Sequence, residues 1–546
     1  MSDRTPVICG IGLSDGPKAP HLNAWQHHAL ATRRALEDAG LSKSEVDGYA
    51  NADSKPADIA EYLGIRHRWI DGTSLGGSSF EFHVQHAAAA IRTGQADTVL
   101  VSYGSDQLSA KGRSLGTGGG PVQNPHMWGC YEAPYGNTLV GSYAMATRRH
   151  MHQFGTTPEQ LAEIAVTARD FASYNPNAQY RDPLTIDDVV NSRMIADPLH
   201  KLDCCVISDG GGAFLMTTAE RARDLRQPPV YVLGAAAGQT HWNIGQMPDF
   251  TSVAARVAAR EAYEQAGIGP GDVDMVMTYD SFTITALLLL EALGFCEPGE
   301  GGPFVAEGHI RKGGRLPMNT DGGGLSALHP GMRGLFLVVE AVRQLRGQAG
   351  DVQVPDCNIA VAAGSGGFLS TMGVTVLGTQ PRDPQPAWRR EPQRSAPSDK
   401  PAVPGVAEVV TGAEYLRPKP TPDSVGAPYF AACARGELLI QRCPECGHRQ
   451  HYPRPLCTEC AATPEWEQAS GRGSIYTFTV IRQMGVEPFK SEVPYVVAMI
   501  ELVEGPRMLG NVTGIRPDEV EVGMPVEVYM VPTDDEIAVP FWRVER

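Results

Sequence analysis

The chain has 546 residues, 42% of them hydrophobic and 20% charged, a composition typical of a globular protein with roughly two to four domains. Its formal net charge of −16 argues against nucleic acid or an anionic membrane surface as the main partner, because both attract basic proteins. We find no apolar segment of membrane-spanning length and no signal-peptide pattern. The sequence therefore predicts a cytoplasmic protein without a membrane span.

An internal repeat occupies the first two thirds of the chain. Two segments, 6–49 and 229–277, each contain a strand, a helix that ends at a glycine, and a second strand. In each copy a glycine-rich loop, 71–79 or 321–334, then leads into another helix and another buried strand. Two such halves predict an α/β protein with a duplicated, five-layer fold.

Composition changes suggest where the domains begin and end. We place the two halves at 1–228 and 229–379, with an insertion at 105–228 that is suited to cover a substrate. Residues 380–404 are rich in Pro, Arg, Gln and Ser and predict a linker. A helical arm with a metal-binding segment should follow at 405–462. Five short candidate strands at 463–546 predict a small β-barrel.

A metal site is predicted by two Cys-x-x-Cys pairs that are separated by ten residues: Cys443 and Cys446, then Cys457 and Cys460. Four thiolates at this spacing favour a structural zinc ion, with iron in a rubredoxin-like site as the alternative. A ribbon followed by a barrel could bind nucleic acid, but acidic residues outnumber basic ones in the barrel. We therefore favour a protein-docking or scaffold role for this region.

The first candidate site loop, 73–79, is rich in Gly and Ser and precedes a helix. The backbone around Ser74, Gly76 and Gly77 is suited to line a substrate pocket and to bind an oxyanion. The alternative is a turn that only caps the helix.

Two further loops offer groups for proton transfer. Tyr279 and Asp280 directly follow a buried strand, where ligands of open α/β sheets bind. Asn319 and His329 lie in the second glycine-rich loop, and His329 precedes a Pro-Gly pair. We predict catalytic roles for these four residues. The alternatives are an N-cap for Asp280 and structural packing for Tyr279 and His329.

The first 380 residues resemble the thiolase superfamily, close to the sterol-carrier-protein thiolases, and residues 406–546 resemble the acyl-CoA-associated zinc-ribbon and OB-fold proteins known as DUF35. The thiolase resemblance is carried by three segments: Tyr279-Asp280-Ser281-Phe282, Asn319 through Gly-Gly-Gly to His329-Pro330-Gly331, and Ala363-Gly364-Ser365-Gly366-Gly367. The resemblance implies a thiolase fold, a rubredoxin-like zinc ribbon and an OB-fold barrel. It also implies an acyl-CoA substrate and a homodimer formed by the thiolase-like domain.

The chain departs from the thiolases at their cysteines. A thiolase needs a cysteine nucleophile, and the resemblance places that position at Ser74. Ser365 lies in the loop that carries a second, acid/base cysteine in many thiolases. The Tyr-Asp-Ser-Phe-Thr and Gly-Gly-Gly-Leu-Ser segments instead resemble the thiolase-like aldolases of steroid side-chain degradation. Those aldolases work with a separate zinc-ribbon/OB partner, which is fused here, and have a second tyrosine that residues 326–328 do not supply.

This second resemblance implies retro-aldol cleavage of a 3-hydroxyacyl-CoA, with a steroid or bile-acid side chain as the acyl group. The products would be a ketone or aldehyde and a shortened acyl-CoA. We predict that Tyr279 is the base for the β-hydroxyl proton and that His329 hydrogen-bonds the thioester oxygen, with Asn319 or a bound water assisting. Asp280 would orient its neighbours.

Two alternatives remain open at this stage. One is a thiolase-type acyltransferase that uses Ser74 or a repositioned cysteine. The cysteines available for this role are Cys130, Cys204, Cys205, Cys296 and Cys357. The other alternative is a non-catalytic acyl-CoA or lipid-binding scaffold.

Overall fold

Strands from both sequence repeats form one nine-stranded sheet in the computed structural model, which describes residues 3–52, 55–111, 128–382, 403–410, 414–534 and 536–545. The order of strands in this sheet is β3-β2-β4-β7-β1-β8-β11-β10-β9. The strands up to residue 382 are β1 (Pro6–Leu13), β2 (Gly48–Ala50), β3 (Trp69–Asp71), β4 (Thr98–Ser105), β5 (Met194–Asp197), β6 (Leu199–His200), β7 (Gly210–Thr218), β8 (Val230–Gln239), β9 (Met275–Thr278), β10 (Ile359–Gly366) and β11 (Thr371–Gly378).

Some helices cover the outer faces of this sheet, and others lie between its two halves. They are α1 (Ala24–Ala39), α2 (Pro56–Leu63), α3 (Ser79–Arg92), α4 (Trp128–Tyr131), α5 (Leu139–Phe154), α6 (Pro158–Tyr174), α7 (Ile186–Val190), α8 (Ala219–Ala222), α9 (Ala255–Ala266), α10 (Thr283–Ala292), α11 (Gly301–Ala306) and α12 (Gly334–Leu345). Helices α3 and α12 contact each other and strands of both halves, whereas α1 and α9 each cover the outer face of one half. This arrangement confirms the predicted duplicated five-layer fold.

Local sequence signals set the ends of the outer helices and the apolar character of the central helix α12. Helix α1 begins at Asn23, whose side chain accepts a hydrogen bond from the amide of Gln26, and ends at Gly40 with φ 73°. Helix α9 ends in the same way at Gly267, with φ 64°. Almost every side chain of α12 is buried, as expected for an apolar helix in the central layer.

The segment 105–228, predicted as an insertion, contributes to both the sheet and the cover of the site. Its strand β7 pairs antiparallel with β4 and with β1, as β11 pairs with β10 and β8 in the second half. Helices α5 and α6 and the β5–β6 hairpin lie in the same segment. No helix in the described ranges has the length and apolar character needed to cross a membrane.

Most of the predicted linker, residues 383–402, lies outside the described residues, and the C-terminal part follows it. Its elements are β12 (Glu408–Val409), α13 (Ala427–Ala434), β13 (Leu439–Arg442), β14 (Arg449–Gln450), β15 (Glu465–Gln468), β16 (Arg472–Ile481), α14 (Phe489–Glu492), β17 (Tyr495–Leu502), β18 (Arg507–Thr513), β19 (Pro525–Pro532) and β20 (Ala538–Val544). Strands β16, β17, β18, β20 and β19 pair in this order, and β19 pairs back to β16. These pairings close the predicted five-stranded barrel around a core that includes the fully buried Trp542.

The barrel and the ribbon dock on the segment that covers the site. Strand β16 pairs antiparallel with β5, and the Thr477 hydroxyl donates to the carbonyl of Met145 on α5 at 2.6 Å. At the ribbon, the carboxylate of Glu132 accepts hydrogen bonds from the Tyr452 hydroxyl at 2.5 Å and from the Gly245 amide at 2.9 Å. The C-terminal part therefore contacts the elements that form one wall of the site.

Candidate active site and zinc site

The candidate residues come together where the strands of the second half end. Strand β9 runs parallel to β10, with Thr278 opposite Ala363, and the amide of Tyr279 donates to the Ala363 carbonyl at 2.9 Å. This bond holds Tyr279 at the carboxyl edge of the sheet, where the loop that carries His329 also lies. Parallel neighbouring strands bring residues that are distant in sequence to one edge of the sheet.

Tyr279 and His329 form a hydrogen-bonded pair. His329 Nε2 lies 3.1 Å from the Tyr279 hydroxyl, and their rings meet edge to face with centroids 5.5 Å apart. Both residues are buried. The backbone around His329 is fixed because its amide donates to the Ser208 hydroxyl at 3.0 Å and the Tyr103 hydroxyl donates to the Pro330 carbonyl at 2.6 Å.

The loop before α3 presents glycine, and no thiol, to this pair. Gly76 and Gly77 line the cavity that contains Tyr279 and His329, and a Cβ atom at Gly77 would lie 2.1 Å from the Tyr279 ring. Gly76 adopts φ 73°, which favours glycine. Ser74 is not among the lining residues, since its hydroxyl turns back to donate to the Ala52 carbonyl at 2.6 Å. A nucleophilic role for Ser74 therefore has no geometric support.

Asp280 lies behind the pair and holds the histidine loop. Its carboxylate accepts hydrogen bonds from the amides of Gly324 at 2.8 Å and Leu325 at 3.2 Å, and lies 3.2 Å from Nε of Arg333. Burial raises the pKa of Asp280, while Arg333 and the two amides oppose that shift. Asp280 thus positions the loop and does not line the cavity.

Arg333 is the main residue of this network that the sequence did not identify. Its side chain is completely buried, binds both carboxylate oxygens of Asp321 at 2.6 and 2.8 Å, and donates to the Leu328 carbonyl at 3.0 Å. Arg333 therefore connects Asp321, at the start of the loop, to Leu328, the residue directly before His329. A charged residue two positions beyond a Pro-Gly turn, directly before an apolar helix, is the signal that could have revealed it.

Asn319 is also placed behind the site. It has φ 54°, and its Oδ1 accepts a hydrogen bond from the Thr278 amide at 2.8 Å, which fixes the end of β9. Its Nδ2 is buried and makes no hydrogen bond within the described part of the chain. Asn319 is not among the cavity-lining residues.

The cavity has a volume of about 200 Å³ and mostly apolar walls. Leu139 and Val140 at the start of α5, together with Phe282 and Ile207, line one side. Tyr143 of α5 also faces the cavity; its ring packs on Phe282 at 4.3 Å and its hydroxyl donates to the Gly367 carbonyl at 3.2 Å. The sequence did not identify Tyr143, because it lies on a helix whose position depends on the docked barrel.

Two of the five cysteines considered as alternative nucleophiles line the cavity. These are Cys204 and Cys205, whereas Cys130, Cys296 and Cys357 do not. The Cys204 thiol donates to the His200 carbonyl at 3.2 Å, and burial raises its pKa well above the ordinary value. A buried thiol of this kind is a poor nucleophile because only the thiolate reacts readily.

The four predicted metal ligands meet in the ribbon. The sulfur atoms of Cys443, Cys446, Cys457 and Cys460 all lie within 4.8 Å of one another. The Cys443–Cys460 and Cys446–Cys457 sulfur pairs are 3.5 and 3.7 Å apart, close to the ~3.8 Å of a tetrahedral site with Zn–S bonds of about 2.3 Å. Four thiolates leave no open coordination position, so the zinc has a structural role.

Three family models match separate parts of the chain. The family described as "Thiolase C-terminal domain-like" matches residues 236–379. The family "ChsH2, rubredoxin-like zinc ribbon domain" matches 430–467, and "ChsH2, C-terminal OB-fold domain" matches 466–531. The predicted zinc ribbon and OB-fold are thereby confirmed.

Individual relatives align with about two thirds of the chain. The chain is 37% identical over 377 residues to a steroid side-chain-cleaving aldolase of Thermomonospora curvata, an alignment that covers 66% of this chain and 95% of the relative. It is 36% identical over 381 residues to a 17-hydroxy-3-oxo-4-pregnene-20-carboxyl-CoA lyase of Mycobacterium tuberculosis, covering 66% and 96%. A solved structure of an Ltp2-ChsH2(DUF35) aldolase superposes with a TM-score of 0.62 at 33% identity, covering 68% of this chain and 97% of that one.

Proposed function

Because this chain belongs to the family of thiolase-like, steroid side-chain-cleaving aldolases, we propose that it cleaves the Cα–Cβ bond of a 3-hydroxyacyl-CoA. The names of its relatives support a steroid-derived acyl chain. The products are a ketone or aldehyde and an acyl-CoA shortened by the carbons beyond Cα. The observation that carries the proposal is the Tyr279–His329 pair, 3.1 Å apart, in a cavity where glycines occupy the loop before α3.

The pair supplies the proton transfers that a retro-aldol reaction needs. The Tyr279 oxygen takes the β-hydroxyl proton as the β-oxygen forms a carbonyl, and the electrons of the Cα–Cβ bond move into the thioester to form an enolate. His329 Nε2 accepts the original phenolic proton. The Tyr279 oxygen then gives the proton taken from the hydroxyl to Cα, while His329 returns the phenolic proton to Tyr279. The proton lost by the hydroxyl thus ends on the shortened acyl-CoA, and no further reactant is consumed.

This geometry changes the role that we assign to His329. From the sequence we expected His329 at the thioester oxygen, but in the structure its Nε2 is bonded to the phenol. Asp280 and Asn319 hold the two loops that carry the pair, so we assign them as positioning residues. The structural zinc stabilises the ribbon that docks beside Glu132 and takes no part in the reaction.

The test is turnover of a steroid-side-chain 3-hydroxyacyl-CoA, with both products measured by mass spectrometry. Tyr279→Phe should lower kcat by about 100-fold or more, which is the usual contribution of a general base. Tyr263→Phe is the matched control, because that buried hydroxyl donates to the Leu293 carbonyl away from the cavity. Cleavage at the wild-type rate by Tyr279→Phe would refute the mechanism, and ligand binding without turnover of any 3-hydroxyacyl-CoA would favour a scaffold.

An acyltransferase that uses Cys205 is the second candidate function, because this partly exposed thiol lines the cavity. It would form a covalent acyl-cysteine during turnover. Cys205→Ala and iodoacetamide treatment separate the two functions. A lyase should keep its activity in the Cys205→Ala variant, whereas a transferase should lose it.

A cytoplasmic homodimer is the assembly that we propose. None of the eleven cysteines, all of which lie in the described ranges, forms a disulfide, in keeping with a reducing compartment. Strand β3 is an edge of the large sheet, and Ile70 on it is exposed. Trp25 and Tyr62 are exposed as well and contact each other edge to face at 5.2 Å. Exposed sheet edges with apolar side chains readily pair with a second copy, and light scattering of the purified protein would test this.

A further inference from the structure

A buried hydroxyl in the cavity has no role in holding the fold. Ser365 lies near the end of β10, is 1% exposed and lines the same cavity as Tyr279 and His329. Within the described ranges, its Oγ makes no hydrogen bond. Its neighbours in space behave differently: the Ser78 hydroxyl is bonded to Thr371 at 2.8 Å, and the Ser370 hydroxyl donates to the Trp242 carbonyl at 2.9 Å.

The backbone of β10 directs this hydroxyl away from α3. A Cβ atom at the preceding residue, Gly364, would point at the carboxylate of Glu81 on α3, and one at Gly366 would point at the carbonyl of Leu75. Side chains alternate across a strand, so Ser365 points to the opposite face. Ser365 is nevertheless among the residues that line the cavity, which extends around the end of β10.

An unpaired buried hydroxyl destabilises the free protein, since it has left water without gaining a partner. Such groups are few in folded proteins and call for a specific explanation. A ligand that provides the missing partner explains this one, because Ser365 lines the substrate cavity. Gly76 and Gly77, in the loop before α3, also line the cavity and add the favourable field of a helix N-terminus for a negatively charged atom.

We propose that the Ser365 hydroxyl is a further catalytic group, which donates a hydrogen bond to the thioester oxygen as that oxygen becomes the enolate oxygen. The inference rests on the retro-aldol function proposed above. Tyr279 and His329 are bonded to each other and act on the proton of the β-hydroxyl, which leaves the thioester oxygen in need of another donor. Among the described residues no base hydrogen-bonds to the serine, so it donates a hydrogen bond and transfers no proton.

The experiment compares Ser365→Ala with a matched control, Thr375→Val. The Thr375 hydroxyl is likewise buried and unpartnered in the described structure, but it lies on β11 outside the cavity. Ser365→Ala should lower kcat by about 100-fold, which is the effect of removing one donor to an oxyanion, and should leave the thermal midpoint unchanged or slightly raised. Thr375→Val should raise or keep the midpoint and keep kcat.

A binding measurement gives a readout that does not depend on turnover. Carboxymethyl-CoA is a stable thioether whose carboxylate places negative charge close to the position of the enolate oxygen. Calorimetric titration should show Ser365→Ala binding it at least about tenfold more weakly than wild type, as expected for loss of a hydrogen bond to a charged group.

The outcomes separate this inference from the proposed function. If Tyr279→Phe abolishes cleavage while Ser365→Ala has wild-type kcat and wild-type affinity for carboxymethyl-CoA, the role of Ser365 is refuted and the aldolase function stands. If wild-type protein does not cleave any 3-hydroxyacyl-CoA, the proposed function fails first. A large loss of thermal stability in Ser365→Ala would also contradict the inference, because it would show that the hydroxyl supports the fold.

Discussion

The buried ion pair behind the site should control both stability and catalysis. Arg333→Met keeps the length of the side chain but removes its charge, its two bonds to Asp321 and its contact with Asp280. Arg333 and Asp280 are both fully buried, so the substitution leaves a carboxylate without its counter-charge. Breaking a buried pair in this way costs about 3–5 kcal/mol.

The same substitution should release the loop that positions His329. Arg333 also donates to the Leu328 carbonyl, directly before the histidine, so the imidazole should lose its alignment with Tyr279. A displacement of about 1 Å in a catalytic group lowers activity by roughly 100-fold. We therefore expect a large loss of kcat together with the loss of stability, even though Arg333 does not line the cavity.

Three measurements check this prediction. Differential scanning calorimetry gives the unfolding transitions, which must be analysed separately in a chain with more than one domain. Hydrogen exchange should accelerate at the Gly324 and Leu325 amides, which donate hydrogen bonds to the Asp280 carboxylate. Turnover gives kcat. Arg543→Met is the control, because its partners Glu408 and Glu527 are exposed and a surface pair contributes at most about 1 kcal/mol. Wild-type stability and turnover in Arg333→Met would refute the reasoning.

Three further predictions follow from other contacts. Gly77→Ala places a methyl group against the Tyr279 ring, so kcat should fall by about tenfold or more while overall folding is retained, as circular dichroism would show; wild-type kcat would contradict the close approach. Burial raises the pKa of Glu132 to about 7. The stabilisation that the Glu132 side chain gives to the folded state is therefore present at low pH and is lost as the pH rises from about 4.5 to 7, a change of about 3 kcal/mol in the free energy of unfolding. Denaturant titrations should show a much smaller pH dependence of this free energy for Glu132→Gln. Metal analysis should find one zinc ion per chain and none in Cys446→Ser, with unfolding of the ribbon; a red, iron-containing protein would contradict the zinc assignment.

The sequence alone determined the fold class and the metal site, because both depend on patterns that are local in the chain. The spacing of strands and helix-ending glycines predicted two equivalent halves, and the structure shows both around α3 and α12. Two Cys-x-x-Cys pairs predicted the ribbon, since the ligands of each pair are close in sequence. The five barrel strands were predicted in number and in the segment 463–546, because alternating apolar residues mark strands directly.

Only the tertiary structure decided which predicted residues share the cavity. Ser74 and Gly76 are two positions apart in one loop, yet a left-handed turn at Gly76 presents the glycines to Tyr279 while Ser74 binds the Ala52 carbonyl. No local pattern fixes the direction of a side chain in such a turn. Arg333 gained its role in the same way, through contacts with residues on two different loops.

The docking of the C-terminal part was equally beyond the sequence. Strand β5 of the N-terminal part pairs with β16 of the barrel, nearly three hundred residues later, and α5 is held between them and the cavity. Tyr143 lies on α5 and lines the cavity, so the wall it forms depends on this long-range packing. Local residue patterns specify elements and metal ligands, whereas the direction of side chains into a shared cavity depends on contacts between segments that are distant in sequence.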